Sequence, residues 1–433
     1  MFHGPPVVEP KGRGAEASAP TRLARRLNLV DAVVVGLGAM IGAGVFVAFA
    51  PAAQAAGAGL LFGLVVAAAV AYCNAMSSAR LAALYPQSGG TYVYARERLG
   101  QVWGYIAGWS FVVGKVASCA AIALTLGHYL APSLEHPLAV AAVVALTVVN
   151  LRGIEKTALL TRLIVGVVLV ALAAFVVAAL VGGVASSAKL SPLGAGGIVG
   201  ILRAGGFLFF AFAGYARIAT LGEEVVDPAQ TIPRAIPLAL ALTFGIYAVV
   251  AVTALAVAGP GVLAATAAPL KAVLARQHSP FGPAVQVGAA VGSLGVLLSL
   301  LAGVSRTAFA MARNGDLPRV LGAVAPRRRV PHHAELVVAA IVAIVAGFAD
   351  IRGAIGFSSF CVLCYYALAN ASALTLKGAT SGRVVAAAGL AGCVALAFAL
   401  PAASVVGGAA VVAVGVAAYV FRRERREANA VRP

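Results

Sequence analysis

The chain has 433 residues, of which 61% are hydrophobic and 11% are charged, and its mean hydropathy is +0.97. This composition excludes a soluble globular protein and predicts that most of the chain lies in a membrane. The formal net charge of +18 would also fit a nucleic-acid-binding protein.

Charge-free stretches long enough to cross a bilayer as a helix, about 20 residues, recur from end to end. The first ten are Ala32–Ala56, Ala58–Ala79, Val116–Leu134, Leu138–Leu151, Leu163–Ala188, Leu190–Ala216, Ala235–Gly259, Phe281–Ser305, Leu336–Ala349 and Gly353–Leu376. Three of them, Leu138–Leu151, Leu190–Ala216 and Leu336–Ala349, are shorter or interrupted by a charge. The last uncharged stretch, 384–421, is too long for one helix and is divided at Pro401. We therefore predict twelve transmembrane helices.

The basic residues are distributed unevenly between the two predicted sides of the membrane. With the N-terminus inside, 25 lysines and arginines fall in inner loops and tails, and four fall in outer loops. This asymmetry follows the positive-inside rule for a protein with both termini in the cytoplasm. The basic surplus therefore orients the chain in the cell membrane, and we expect no nucleic-acid partner. Residues 1–27 are rich in proline and small residues and predict a disordered cytoplasmic tail, and residues 422–433 form a second tail.

The first predicted helix contains a cluster of glycines, in the sequence GLGAMIGAGVF from Gly36 to Phe46. Each glycine weakens a helix by about 1 kcal/mol relative to alanine, so the cluster favours an unwound stretch. An alternative is close helix packing through the small residues Gly38 and Gly42. The sixth predicted helix has a matching weak point at Phe-Ala-Phe-Ala-Gly-Tyr, 210–215. Two such interruptions in corresponding halves of a chain indicate the binding site of a transporter built from inverted repeats.

Three segments together resemble the amino acid/polyamine/organocation transporter superfamily, and within it the bacterial amino acid permeases related to cationic amino acid transporters. The segments are the glycine pattern of Gly36–Phe46, the helix 6 pattern of Phe209–Tyr215 followed by Glu223-Glu224 and Ile232-Pro233-Arg234, and Ala308–Pro318 at the end of helix 8. The resemblance implies a LeuT-type fold, with five-helix repeats at 28–182 and 190–376 and peripheral helices at 382–421. It implies that helices 1 and 6 are both broken at the membrane midplane.

With the N-terminus in the cytoplasm, we expect the ends of the two broken helices to contact the substrate. Free amides at the start of the second half of helix 1 favour a carboxylate, which we expect at Gly42, Ala43 and Gly44, next to Ile41. Carbonyls at the end of the first half of helix 6 would accept hydrogen bonds from an ammonium group, at Phe210, Ala211 and Ala213 before Gly214. The resemblance implies that Phe210 is an aromatic lid over the substrate, and ordinary core packing is the alternative.

Lys115 lies within predicted helix 3, and an intramembrane lysine is a functional hypothesis by default. It could carry a coupling proton, meet the substrate carboxylate, or be paired structurally. Proton-coupled relatives commonly carry a lysine midway along helix 5, where this chain has Val168. Arg217, Glu223, Glu224 and Arg306 could form a gate at the inner mouth, or be helix-end charges in water. With Lys115 and Phe210 they make up the candidate coupling and gating residues.

These features predict a secondary active transporter for amino acids that works by alternating access, by proton coupling or by exchange. Relatives that carry cationic substrates often have an acidic residue where this chain has Ala216, so neutral L-amino acids are favoured over cationic amino acids or amines. A membrane sensor of amino acids with the same fold is the rival interpretation. No catalytic set and no metal-ligand spacing occurs, so we expect no enzyme activity, metal or cofactor. Oligomeric state and direction of flux are left open.

Overall fold

A computed structural model describes residues 27–85, 89–153, 158–182, 185–219, 225–324, 330–377 and 379–430. Within these ranges the regular structure is helical, and the one β-bridge joins Leu27 to Val225. The helices in chain order are α1 Leu29–Met40, α2 Ala43–Val47, α3 Phe49–Ala56, α4 Leu60–Leu84, α5 Thr91–Arg98, α6 Gln101–Leu130, α7 Glu135–Leu151, α8 Ala158–Gly182, α9 Gly197–Phe212, α10 Ala216–Ala219, α11 Pro228–Ala258, α12 Pro260–Ala264, α13 Pro269–Arg276, α14 Gly282–Arg313, α15 His332–Phe348, α16 Ile351–Leu374, α17 Thr380–Ala399 and α18 Ala402–Ala430.

Eleven helical stretches in the described part of the chain are long and apolar enough to cross a membrane. The prediction of an all-α membrane protein is therefore confirmed. The predicted span Leu336–Ala349 corresponds to α15, which has 17 residues and is about 25 Å long at 1.5 Å per residue. A length of this size is short for a hydrocarbon core of about 30 Å, so the count of twelve stays a prediction. The division into two inverted repeats also stays a prediction.

Helix α6 lies at the centre of the bundle. Of its most apolar 18 residues, 89% are buried. The helix packs against α7, α14, α15 and α16. Helices α17 and α18 are peripheral, with 28% and 22% of their most apolar 18 residues buried. Large apolar side chains on the outer helices, such as Val181 and Phe348, are fully exposed on the bundle surface. Such a surface is suited to the hydrocarbon interior of a bilayer, because apolar side chains need no hydrogen-bond partners there.

Three short helices occur where the sequence analysis placed loops: α5 before α6, and α12 and α13 between α11 and α14. The third charge-free stretch, Val116–Leu134, covers only part of its helix, because α6 begins at Gln101 and ends at Leu130. Lys115 lies within this helix, as predicted. The predicted C-terminal tail, 422–433, is helical as far as Ala430 as the end of α18. Residues 1–26 of the predicted N-terminal tail lie outside the described residues.

Candidate functional site

The first helix is interrupted after Met40. Ile41 has φ −80° and ψ 68°, and Gly42 has φ −128° and ψ −136°, so neither residue is helical. The amide of Ile41 still donates to Leu37 O, but the amide of Gly42 turns back to Met40 O at 2.8 Å. Helix α2 begins one residue later and runs into α3 through Ala48, which keeps helical dihedral angles. The glycine-rich sequence thus produces a local break in the helix.

The sixth predicted helix is interrupted after Phe212. Ala213, Gly214 and Tyr215 form a turn between α9 and α10. The amide of Tyr215, which would continue the helix by donating to Ala211 O, donates to Phe212 O instead at 3.2 Å. The carbonyl of Ala211 is therefore left free by the helix, as expected where a helix ends without a capping turn.

The two interruptions lie against each other. A Cβ atom built on Gly44 would lie 2.6 Å from Ala211 Cα, and one on Gly214 would lie closer than 3.0 Å to main-chain atoms of Ala39 and Met40. The helices are therefore packed closely at Gly44 and Gly214, where a larger residue would overlap the neighbouring main chain. Gly42 is packed in the same way against Val296, because its Cβ atom would lie closer than 3.0 Å to that side chain.

Tyr247 on α11 joins the two interruptions, and the sequence analysis did not single it out. Its hydroxyl donates to Met40 O at 2.7 Å and to Ala211 O at 3.2 Å. The side chain is fully buried, and its ring contacts Phe49 on α3 and Phe212 on α9. An apolar stretch with one tyrosine gives no sequence signal for such a contact, because the partners are 207 and 36 residues away.

The remaining residues of the predicted main-chain site lie around this contact. Ile41, Ala43, Ala211 and Ala213 are buried, and Phe210 and Gly214 are half-buried. Phe210 packs on the main hydrophobic core. Its predicted role as a lid and its alternative as a core residue both remain open to experiment.

Lys115 is 7% exposed and lies at the middle of α6. Among the described residues, the ion pairs join Arg96 to Asp316, His128 to Glu135 and Arg162 to Asp31, so none of them involves this lysine. A buried ammonium group without a carboxylate partner is costly, which fits a group that exchanges partners or protons.

The predicted gate residues are only partly described. Arg217 and Arg306 are exposed, and each has an interaction partner. Glu223 and Glu224 lie outside the described residues. The structure therefore leaves the predicted gate as a prediction.

Two charged contacts away from the interruptions were not predicted. Asp31 at the start of α1 is buried and forms an ion pair with Arg162 on α8. The capping box of Asn28 and Asp31, which fixes the start of α1, was a sequence signal for the local position of this carboxylate. Its partner 131 residues away had no such signal.

The second contact connects α5 to the loop after α14. Tyr92 donates to Asp316 Oδ2 at 2.6 Å, Arg96 Nη1 donates to the same oxygen at 3.0 Å, and Asn314 Nδ2 donates to the Tyr92 hydroxyl at 2.8 Å. Burial, together with the hydrogen bond to the Asp316 carboxylate, raises the pKa of Tyr92 to about 12. Tyr92 therefore stays a hydrogen-bond donor at physiological pH. We call these four residues the α5 clamp.

A bundle of apolar helices in which two interrupted helices lie side by side defines a multi-pass membrane protein. The sequence profile of the amino acid permease family matches residues 27–421. An uncharacterized transporter of Mycobacterium tuberculosis is 64% identical over 408 residues, which cover 93% of this chain and 92% of the relative. The branched-chain amino acid permease BcaP of Bacillus subtilis is 29% identical over 73% of each chain. Cationic amino acid transporter 4 of Mus musculus is 28% identical over 84% of this chain and 61% of its own length.

The chain belongs to the amino acid permease family. The resemblance inferred from the three sequence segments is confirmed, and the family and its relatives identify the protein as a transporter and not an enzyme.

Proposed function

We propose that the protein is a secondary active transporter of neutral L-amino acids that works by alternating access. The observation that carries this proposal is the contact between the two interrupted helices, where the carbonyls of Met40 and Ala211, at the ends of α1 and α9, accept hydrogen bonds from one hydroxyl group. Main-chain groups released from helical bonding at bilayer depth are stable only where they are buried or line a cavity. Their pairing at one place supports a binding site for a zwitterion. In this proposal the fold has two inverted five-helix repeats, and both termini lie in the cytoplasm.

The carboxylate of the substrate would lie against Gly42, Ala43 and Gly44. The amides of Ala43 and Gly44 begin a helical segment that continues through Ala48 to Ala56, so the helix dipole favours an anion at its start, whereas the Gly42 amide donates to Met40 O. The ammonium group would bind the carbonyls that end α9, at Phe210, Ala211 and Ala213. Ile41 and Gly214 would line the same space, and Phe210 would close it.

The preference for neutral side chains is supported by the partners of the buried acids. Three carboxylates in the described residues are less than one-tenth exposed: Asp31, Asp316 and Glu335. They are engaged by Arg162, by the α5 clamp and by Asn150, respectively. Asp31 and Asp316 are paired with arginines and are therefore not free to pair with a cationic substrate side chain, whereas the partner of Glu335 is a neutral amide. The name of BcaP agrees with neutral substrates, whereas cationic amino acid transporter 4 gives the cationic alternative its support. Competition of labelled uptake by leucine and by arginine distinguishes the two.

In this proposal Lys115 has one of two roles. It carries the coupling proton, or it binds the substrate carboxylate. If it carries the proton, Lys115→Met should lose proton-driven accumulation and retain exchange. If it pairs with the carboxylate, the same variant should weaken binding by about 1.5–3 kcal/mol, the range for a charge-assisted hydrogen bond. Lys377→Met is the control, because it removes an exposed lysine at the end of α16.

The test is uptake of labelled amino acids by the purified protein in proteoliposomes, with and without a proton gradient. A thermal-shift screen against the twenty amino acids and common amines would first identify the ligand. Binding without uptake or exchange would identify a sensor of the same fold and refute the transporter proposal. Uptake unaffected by both the gradient and Lys115→Met would refute the role of Lys115. Arg217, Glu223, Glu224 and Arg306 are proposed as an inner gate, which charge-removing variants would test through increased leak.

A further inference from the structure

The hydroxyl of Tyr247 contacts Ala211 O, one of the carbonyls that the proposed function assigns to the ammonium group, and Met40 O at the end of the other interrupted helix. It donates to Met40 O at 2.7 Å and to Ala211 O at 3.2 Å, and the tyrosine is fully buried. Met40 is the last residue of α1, and Ala211 is the last but one of α9. The same hydroxyl therefore contacts the C-terminal ends of both interrupted helices.

These carbonyls need a donor from outside their helices. Tyr215 N, the expected helical partner of Ala211 O, donates to Phe212 O, and the main-chain donor to Met40 O is Gly42 N, in an inverse γ-turn centred on Ile41. A phenol has a single O–H hydrogen, so it can satisfy the two acceptors only as a shared, three-centre bond. An ammonium group has three N–H donors and a positive charge, and could give each carbonyl its own charge-assisted hydrogen bond.

The ring of Tyr247 is fixed in place. Phe212 packs against it with ring centroids 5.2 Å apart, and Phe49 packs edge-on at 6.5 Å. The hydroxyl can rotate about its C–O bond, but the phenol cannot leave the two helix ends without repacking both rings. Tyr247 is therefore placed to release the carbonyls while staying beside them.

We propose that Tyr247 is a positioning residue that takes the place of the substrate ammonium between the two helix ends and yields their carbonyls when the substrate binds. The inference rests on the proposed function, because it assumes that the ammonium group binds at these carbonyls. It has a consequence for specificity. A substrate must bring at least two N–H donors to replace the shared hydroxyl bond, so the site favours primary and N-methyl amines over N,N-dimethyl amines.

Tyr247→Phe tests the inference because it removes only the hydroxyl. The substrate would no longer have to displace a hydrogen bond. Until it binds, Ala211 O would lack the tyrosine donor, and Met40 O would keep only the Gly42 amide. We expect the dissociation constant to fall by about two- to tenfold, the equivalent of one net hydrogen bond. We also expect the ligand-free variant to be less stable than the ligand-free wild type.

Tyr129→Phe is the matched control. Tyr129 is also fully buried, and its hydroxyl donates to a main-chain carbonyl, Phe46 O, at 2.7 Å. That carbonyl lies inside α2 and not at the end of an interrupted helix. This variant should lose stability without any tightening of binding.

The measurements are isothermal titration of wild type and both variants with the best amino acid ligand, and titration of wild type with its N-methyl and N,N-dimethyl derivatives. Tighter binding by Tyr247→Phe alone, with a loss of affinity at the second methyl group, supports the inference. Unchanged or weaker binding by Tyr247→Phe, or equal binding of the N,N-dimethyl derivative, overturns it while leaving the proposed transport intact. If wild type binds and transports no amino acid, the proposed function fails, and this inference fails with it.

Discussion

Gly214 tests how closely the two interrupted helices are packed. A Cβ atom on this residue would lie closer than 3.0 Å to the carbonyl oxygen and carbon of Ala39, and 2.9 Å from Met40 N. These are main-chain atoms at the end of α1, so they cannot rotate away as a side chain could. Gly214→Ala should therefore push the end of α1 from the turn after α9 by roughly 1 Å to restore ordinary van der Waals contact.

Overpacking of this kind costs about 1–3 kcal/mol, which lowers the ratio of folded to unfolded protein by roughly 5- to 150-fold. Gly214 has no positive φ, so the expected loss comes from the contact and not from backbone strain. We expect the free energy of unfolding to fall by that amount, and the rate of amino acid uptake to fall with it. Denaturant titration in mixed micelles measures the first quantity, and uptake by proteoliposomes measures the second.

Gly303→Ala is the control for the same chemical exchange. Gly303 lies within α14, and a Cβ atom there would have no other atom within 4 Å. Because alanine is the better helix former by about 0.5–1 kcal/mol, this variant should be as stable as wild type or more stable. If Gly214→Ala matched Gly303→Ala in stability and uptake, the argument for close packing of the two interruptions would be wrong.

Three further predictions concern the side chains around the helices. Phe210→Ala should weaken substrate affinity and slow occlusion if the ring is a lid, and binding and transport kinetics equal to wild type would return it to the core. Asp316→Asn removes the charge that pairs with Arg96, and should lower the free energy of unfolding by about 1.5–3 kcal/mol, the value for hydrogen bonds to charged groups. If this variant had wild-type stability in denaturant titration, the α5 clamp would not stabilise the fold. Glu335 is 2% exposed and accepts from Asn150 Nδ2 at 2.9 Å, so Glu335→Ala should lose more stability in denaturant titration than Glu335→Gln, which keeps the acceptor. Equal losses would show that this hydrogen bond contributes little.

The sequence was sufficient for the class of protein. Hydropathy and glycine content act locally, so a run of apolar residues and a cluster at Gly36–Gly44 report on their own segments without knowledge of the rest of the chain. The same local reasoning does not give the full length of a helix. The third charge-free stretch begins at Val116, whereas α6 begins at Gln101 and has the buried Lys115 near its middle.

Tertiary structure decided what each of these local features contacts. The glycine at position 44 faces Ala211, the carbonyl of Met40 meets Tyr247, and Asp31 pairs with Arg162. These pairs are separated by 131 to 207 residues, and one residue of each carries no pattern that identifies its partner. Hydropathy is a property of each segment, so the sequence by itself determined the apolar helices and the class of protein. The partners of the freed groups depend on how distant helices pack, and only the folded bundle fixes them.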